Sequence, residues 1–311
     1  MKTSRKRHIL VTGIHRSGTT FVGKMLSSAP GTGYVQEPFN PEYGVTGVDL
    51  WYPYIRQGHV SESYYAEIVR NIVSGHAVYR KKSADGDHFF KKTGKRLLGS
   101  RDYLQYLAST KMPGSRRLII KDPLASLSSE WMHKKFDMDV IILLRHPAGF
   151  IASTQRLGWN YYFLSDIMTQ TQLMEEYLHE ILAPFNIASM KQWQKGALLW
   201  QCIYSILDVY AERNPSIKIV RLEDISLAPE EMFRELHKHL ELPFTKKTAH
   251  KIQESTGSNN PVNAPGGKVH HLQRNSRQLS NAWKRSINRN MAIEIRKLAG
   301  PVGEKYYGKD W

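Results

Sequence analysis

The segment Gly13–Thr20 constrains this chain more than any other. It reads Gly-Ile-His-Arg-Ser-Gly-Thr-Thr and joins a short apolar run, Ile9–Thr12, to an amphipathic stretch, Thr19–Ser28. A continuous apolar run of this kind is what a strand covered on both faces looks like. Phe21, Val22, Met25 and Leu26 share one helical face, and Pro30 with Gly31 closes the helix. A strand that feeds a helix through paired glycines is the layout of a phosphate loop. The glycines let the backbone curl so that successive N–H groups face an anion, and the helix N-terminus adds its dipole. The glycine spacing also fits the triphosphate-binding motif, but that motif continues with a lysine. Here Thr19 and Thr20 follow Gly18, and Arg16 stands inside the loop instead. The absent lysine argues against ATP chemistry, so a P-loop kinase is a rival reading only.

The same alternation continues along the chain. Gly33–Gln36, Leu118–Lys121, Val140–Leu144 and Ile217–Val220 read as further strands. Helices are expected at Ala148–Arg156, Leu173–Leu182, Trp193–Arg213, Pro229–Leu240 and Ala292–Leu298, with helical pieces near 61–74 and 100–110. This pattern predicts a three-layer α/β/α fold with a central, mostly parallel sheet. All 311 residues read as one domain. Two irregular segments, 40–115 and 255–282, are expected to lie over the active face.

Lys and Arg number 44 against 28 Asp and Glu, a net charge of +16. That excess steers polyanions toward the chain: nucleic acid, anionic lipid, acidic glycan or a phosphorylated nucleotide. Cys202 is the only cysteine, which excludes an intrachain disulfide and a cysteine-based metal site. The adjacent His270 and His271 lack acidic or cysteine neighbours, so no metal is expected. The N-terminal apolar stretch is too short for a signal peptide or a membrane span, and a cytoplasmic location is expected.

A second phosphate site is readable at Arg145–Ser153. Val140–Leu144 runs directly into Arg145, and Pro147 stands at the first helical turn. Arg145 would then sit at the carboxyl end of a strand, where open α/β sheets bind ligands. Ser153 follows two helical turns on, so its hydroxyl shares the side that Arg145 addresses. The planar fork of Arg grips phosphate bidentately. A plain cap or ion pair at the sheet edge is the alternative.

In these motifs the chain resembles the sulfotransferases that use 3′-phosphoadenosine-5′-phosphosulfate (PAPS) and release 3′-phosphoadenosine-5′-phosphate (PAP). Arg16–Thr20 is that family's phosphosulfate loop, and an Arg followed by Ser eight positions later is its 3′-phosphate motif. The resemblance implies the P-loop-like sulfotransferase fold. It places Arg16 on the bridging and sulfuryl oxygens, Ser17, Gly18, Thr19 and Thr20 on the 5′-phosphate with His15 beside them, and Arg145 and Ser153 on the 3′-phosphate. Arg274 and Ser280, in a stretch similar to the family's late loop, are expected over the nucleotide.

Sulfuryl transfer needs a base for the acceptor proton and cations for the charge on sulfuryl and leaving-group oxygens, aligned in line. Glu37 ends the second strand beside the loop and is the candidate base. It follows Arg16 by 21 residues, the spacing found in tyrosylprotein sulfotransferases, and the Glu37–Pro38 pair is similar to one in glycan sulfotransferases. The alternative is that Glu37 orients Arg16 or caps a turn. Lys121, in a Lys-Asp-Pro string shared with the tyrosylprotein branch, is expected on the sulfuryl or leaving-group oxygens. His15 and His146 are rival bases. Arg221, Glu223 and Asp224 read as a structural ion network.

The resemblance implies a hydroxyl compound as acceptor. Trp51, Tyr52, Tyr54, Tyr64, Tyr65, Trp159, Tyr161 and Tyr162 line a cleft or pack the core. A cleft of this kind fits a sugar chain, an aromatic ring or a lipid head; the Glu-Pro segment and the basic surface favour a carbohydrate, with a peptide tyrosine or a small natural product as alternatives. A non-enzymatic polyanion binder is the rival outside enzymes, and no nucleic-acid partner is expected.

Overall fold

The computed structural model describes residues 7–80, 101–111, 117–159, 163–257, 260–261, 273 and 275–311. Arg274, Tyr161, Tyr162 and the pair His270 and His271 lie outside the described residues, as does half of 255–282. Five apolar runs form five strands: β1 Ile9–Gly13, β2 Thr32–Gln36, β3 Arg117–Lys121, β4 Asp139–Leu144 and β5 Lys218–Arg221. They make one sheet in the order β2-β3-β1-β4-β5, and every pairing in it is parallel.

Side-chain alternation explains why the strands are apolar throughout. Ile9, Val11, Ile119, Ile141 and Leu143 face one core cluster, while Leu10, Leu118, Ile120, Val140, Ile142 and Leu144 face the other. The first cluster packs on α1 (Thr19–Leu26), the helix Pro229–His239 and the helix Lys246–Thr256. The second packs on α2 (Glu62–Ser74), the helix Pro147–Gln155, the long helix Gln192–Arg213 and the helix Arg289–Tyr307. Helices on both faces of a parallel sheet give the three-layer α/β/α architecture. Among the described residues no helix is long and apolar enough to cross a membrane.

Register decides where the motifs meet. Lys121 pairs with Val11 on one side and with Gln36 on the other, and Gly13 pairs with Leu143. The residues that follow β1, β2 and β4, together with the last residue of β3, therefore emerge along one sheet edge. They are the phosphate loop, Glu37, Arg145 and Lys121.

Several local expectations are corrected. Segment 40–115 is in part core and not a surface loop: Tyr52, Tyr54, Tyr65 and Tyr106 are buried in the second cluster. There α3 (Arg101–Lys111) is stitched to β2, because Ser109 Oγ donates to the Tyr34 carbonyl at 2.8 Å and accepts from its N–H at 2.9 Å. The helix expected at Ala292–Leu298 spans Arg289–Tyr307 and kinks at Gly300, whose φ is +61°. Beyond β5 the chain turns at once into a helix, Leu222–Leu227. In place of one ion network, Arg221 pairs with Asp310 at 2.6 Å and Asp224 at 3.5 Å, while Glu223 is buried and accepts from the His146 N–H at 3.0 Å. Cys202 is free and buried.

Gly13 is the tightest point between loop and sheet. Its φ is +135°, and a Cβ there would lie 2.3 Å from the Leu143 carbonyl oxygen. Gly13→Ala should therefore lower the unfolding free energy by about 2–4 kcal/mol, read from urea denaturation. A loss below about 0.5 kcal/mol would show that the loop lifts off β4 freely.

Candidate active site

The loop after β1 is curled by three residues with left-handed φ: Gly13, Arg16 at 66° and Gly18 at 95°. Gly18 caps α1, and a Cβ on it would lie 2.6 Å from Leu222 Cδ1. The loop is thus clamped between β4 and the turn after β5. Ser17 and Thr19 are buried, and Thr20 is half-buried. The Ile14 N–H donates to the Tyr204 hydroxyl at 3.3 Å, and that hydroxyl donates to the Leu143 carbonyl at 2.7 Å, which ties the loop's start to β4.

Arg145 leaves β4 directly beside this loop. A terminal guanidinium nitrogen of Arg145 donates to the Arg16 carbonyl at 2.8 Å, and the Trp200 indole N–H holds the Arg145 carbonyl at 2.9 Å. Burial pushes the Arg145 pKa down from its ordinary value, opposed by the Glu223 carboxylate. Arg16 Nε donates to the Ser153 hydroxyl at 3.3 Å, and its guanidinium lies 5.9 Å from the Trp159 ring centre. The two arginine motifs read from sequence are in direct contact. Pro147 opens the helix carrying Ser153, and His146 caps it by accepting from the Ala148 N–H at 3.2 Å.

The edge between β2 and β3 carries the carboxylates. Glu37 is buried with φ of +43°, and its N–H donates to the Lys121 carbonyl at 2.8 Å. Lys121 Nζ, fully buried, pairs with Glu37 Oε1, and the Tyr43 hydroxyl donates to Oε2. Asp122 organises the backbone around them. Its Oδ2 accepts from the Phe39 N–H at 2.6 Å and its Oδ1 from the Leu124 N–H at 2.9 Å, while its N–H donates to the Val11 carbonyl at 3.0 Å. Burial, and then the nearby charge of Glu37, raises the Asp122 pKa to about 7. Sequence reasoning quoted Asp122 within a string and gave it no role, and it passed over Tyr43 altogether.

Arg16, Thr19, Thr20, Glu37, Tyr43, Trp51 and Trp159 line one cavity of about 470 Å³ together with His15 and Phe163. His15 takes part as a neutral ring. Burial and then the Arg16 charge lower its pKa to about 3, and its Nδ1 is hydrogen-bonded to the Tyr52 hydroxyl. His146 stands apart: it stacks on Trp283 with ring centres 4.5 Å apart, and burial lowers its pKa to about 3. Lys121, Arg145 and Ser153 do not line this cavity; Lys121 touches it through Glu37, and Ser153 and Arg145 through Arg16. Ser280 ends the helix Ser276–Ser280, and its side chain lies outside the described residues. Among the described residues no group of three or more His, Cys, Asp or Glu is placed to hold a metal ion.

The model of the sulfotransferase domain family matches residues 6–308, and the chain belongs to that family of PAPS-dependent enzymes. Its chemistry is sulfuryl transfer. No curated protein matches the chain. Among solved structures it is similar to the sulfotransferase domain from the curacin biosynthetic pathway, at 13% identity over 95% of this chain and 97% of that one, with a TM-score of 0.46. It is also similar to sulfotransferase STF9 from Mycobacterium avium, at 14% identity over 98% and 76% with a TM-score of 0.46. A third is mouse sulfotransferase SULT7A1 complexed with PAP, at 11% identity over 98% and 90% with a TM-score of 0.45.

Asp122 gives the site a pH signature. A carboxyl whose folded-state pKa exceeds its unfolded value binds its proton more tightly in the native state. Its stabilising contribution is therefore present at low pH and lost as pH rises from the ordinary carboxylate range through about 7. Asp122→Asn removes this titration. The stability difference between wild type and variant should shrink as pH rises across that window, measured by melting temperature. A constant difference would show that Asp122 titrates as an ordinary carboxyl.

Proposed function

We propose that this chain transfers the sulfuryl group of PAPS to a carbohydrate hydroxyl, with Glu37 as general base. The observation that carries this reading is that Glu37 and Arg16 line the same cavity, at the mouth of the phosphate loop. A base and a cation placed across one space are the two elements that proton removal and sulfuryl charge require.

The fit of the donor is supported by the built features of the loop. The left-handed residues Arg16 and Gly18 curl the backbone before α1, and Arg145 lies one hydrogen bond away. The N–H groups and hydroxyls of Ser17 to Thr20 hold the 5′-phosphate, and Arg145 with Ser153 holds the 3′-phosphate. A phosphate on Ser153 takes the place of its hydrogen bond from Arg16, which frees the Arg16 guanidinium for the sulfuryl oxygens. Arg274 and Ser280 remain candidates for covering the nucleotide. In transfer, the acceptor oxygen forms a bond to sulfur as the bond from sulfur to the phosphate oxygen breaks. The acceptor proton goes to Glu37. Lys121 holds Glu37 in its charged form, and its ammonium reaches sulfuryl or leaving-group oxygens only by leaving that carboxylate.

Trp51, Trp159, Phe163 and Tyr43 wall the acceptor side of the cavity. Aromatic faces of this kind stack on the apolar face of a sugar ring, and the net charge of +16 favours an acidic chain. Transfer of labelled sulfate from PAPS to a panel of polysaccharides, a tyrosine peptide and a phenol tests the acceptor. Label on the peptide or phenol alone would replace the carbohydrate reading.

PAP without metal should raise the melting temperature, with about 3 kcal/mol of added stability at a hundredfold excess over Kd. Arg145→Ala should weaken that effect by about 1.5–3 kcal/mol in PAP binding. A shift with ATP and Mg²⁺ but none with PAP would return the kinase reading, and a shift with an oligonucleotide alone would favour the polyanion binder. Glu37→Gln keeps an oxygen for Lys121 and a partner for Tyr43 but accepts no proton. Turnover should fall about 10²–10⁴-fold with PAP affinity little changed. Loss of PAP affinity in step with turnover would make Glu37 an orienter of the loop.

A further inference from the structure

Between Glu37 and Val45 the chain makes a tight wrap that returns over the Glu37 side chain. The Asn40 N–H donates to the Glu37 carbonyl at 3.2 Å, and the Gly44 N–H donates to the Asn40 carbonyl at 2.8 Å. Asn40 Oδ1 accepts from the N–H groups of Glu42 at 2.9 Å and Tyr43 at 3.3 Å. The Val45 N–H then closes the wrap onto the Pro38 carbonyl at 2.8 Å. Gly44 permits this closure, since a Cβ there would lie 2.4 Å from the Pro38 oxygen and 2.6 Å from the Asn40 oxygen. The wrap is anchored from outside as well. The Arg80 N–H donates to the Gly44 carbonyl at 2.8 Å, and Val45 bridges to Tyr79. Backbone bonds therefore set the position of Tyr43, independently of the Glu37 carboxylate it touches.

The two carboxylate oxygens of Glu37 are in different situations. Oε1 faces the buried Lys121 ammonium, away from the cavity, while Oε2 receives the Tyr43 hydroxyl, and both residues of that second bond line the cavity. A carboxylate oxygen accepts from two directions. We propose that Tyr43 is a positioning residue that fixes the plane of the Glu37 carboxylate and makes Oε2 the oxygen that takes the acceptor's proton. This inference rests on Glu37 being the base. With Lys121 on one oxygen and Tyr43 on the other, the carboxylate plane is fixed, and Oε2 is the oxygen bonded to a residue of the cavity wall. The acceptor O–H bond breaks toward Oε2 while Tyr43 keeps its own proton. The Tyr43 ring also forms part of the wall against which the acceptor rests.

The charged and titratable groups around Glu37 include Lys121 and Asp122 from the end of β3, His15 from the phosphate loop, Tyr52, Tyr43 itself, and Arg16 and Glu42, which line the same cavity. Of these, Tyr43 is the one whose donor can be removed with its ring kept in the cavity wall. A donor to the ionised form favours that form, so losing it moves the titration of Glu37 upward.

The test is Tyr43→Phe in the full chain, with steady-state sulfate transfer followed across pH. The expected result is a kcat about tenfold lower, KM for the acceptor within about twofold, unchanged PAP affinity, and an acidic limb of kcat displaced to higher pH. Tyr43→Ala should show the same displaced limb with an additional rise in acceptor KM, because the wall is then gone as well. A Tyr43→Phe profile that matches wild type in height and limb overturns the proposal and leaves Tyr43 as wall only. Glu37→Gln separates this from failure of the base itself. If Glu37→Gln retains turnover, the base reading falls and the role of Tyr43 falls with it. If Glu37→Gln is inactive and Tyr43→Phe is unchanged, only the positioning role is lost.

Discussion

Lys121 and Glu37 sit at the ends of neighbouring parallel strands with their charges buried against each other. Neither charge could stay there alone. Removing one partner of such a pair costs about 3–5 kcal/mol, because the survivor is left desolvated. The pair need add little net stability, since its desolvation offsets most of its attraction. Its effect is geometric: it holds the carboxyl group of Glu37 at the rim of the cavity. Asp122 completes the arrangement by gripping the backbone just past Glu37, where a left-handed φ turns the chain toward the cavity. A carboxylate in an unfavoured backbone conformation, held by an ammonium and a second carboxyl, is the kind of local strain that the surrounding structure must over-determine.

The donor side rests on a different link. Arg145 is bonded to the backbone of Arg16, and Arg16 is bonded to Ser153. The residues assigned to the two phosphates therefore form one connected group. A ligand that spans them replaces contacts already made between protein groups, so its binding affinity reflects an exchange of partners. The Glu223 bonds to His146 and to Tyr307 extend this support into the C-terminal helix. Residues that read as an ion network in sequence are here the footing of the helix that carries Ser153.

Much of the fold was legible because a parallel sheet covered on both faces has to be written as unbroken apolar runs. The strands β1, β3, β4 and β5 followed from that rule, whereas β2, Thr-Gly-Tyr-Val-Gln, was read only as a short strand ending before Glu37; the long helix Gln192–Arg213 was also expected. The helices Ser129–Phe136 and Lys246–Thr256 were missed for the opposite reason. Each buries only a few side chains, such as Trp131 and Met132 in the first and Thr248 and Ile252 in the second, so little periodicity is printed in them. Segment 40–80 misled because Tyr52 and Tyr54 enter the core from irregular backbone, where no period exists to be read. In the site, Arg16, Glu37, Lys121 and Arg145 were legible as residues at or just past the ends of apolar runs. Tyr43 was not, because its position depends on how Asn40 and Gly44 fold a short loop. Asp122 was hidden by the lysine beside it.

The strand order β2-β3-β1-β4-β5 places β1 at the centre, yet its neighbours come from far along the chain. Arg16 and Ser153 are 137 positions apart, and Glu37 and Lys121 are 84 apart. Contacts at such separations require long loops to close, a topology that slows folding. The contacts that join the phosphate loop to Ser153 and Glu37 to Lys121 thus require segments from distant parts of the chain.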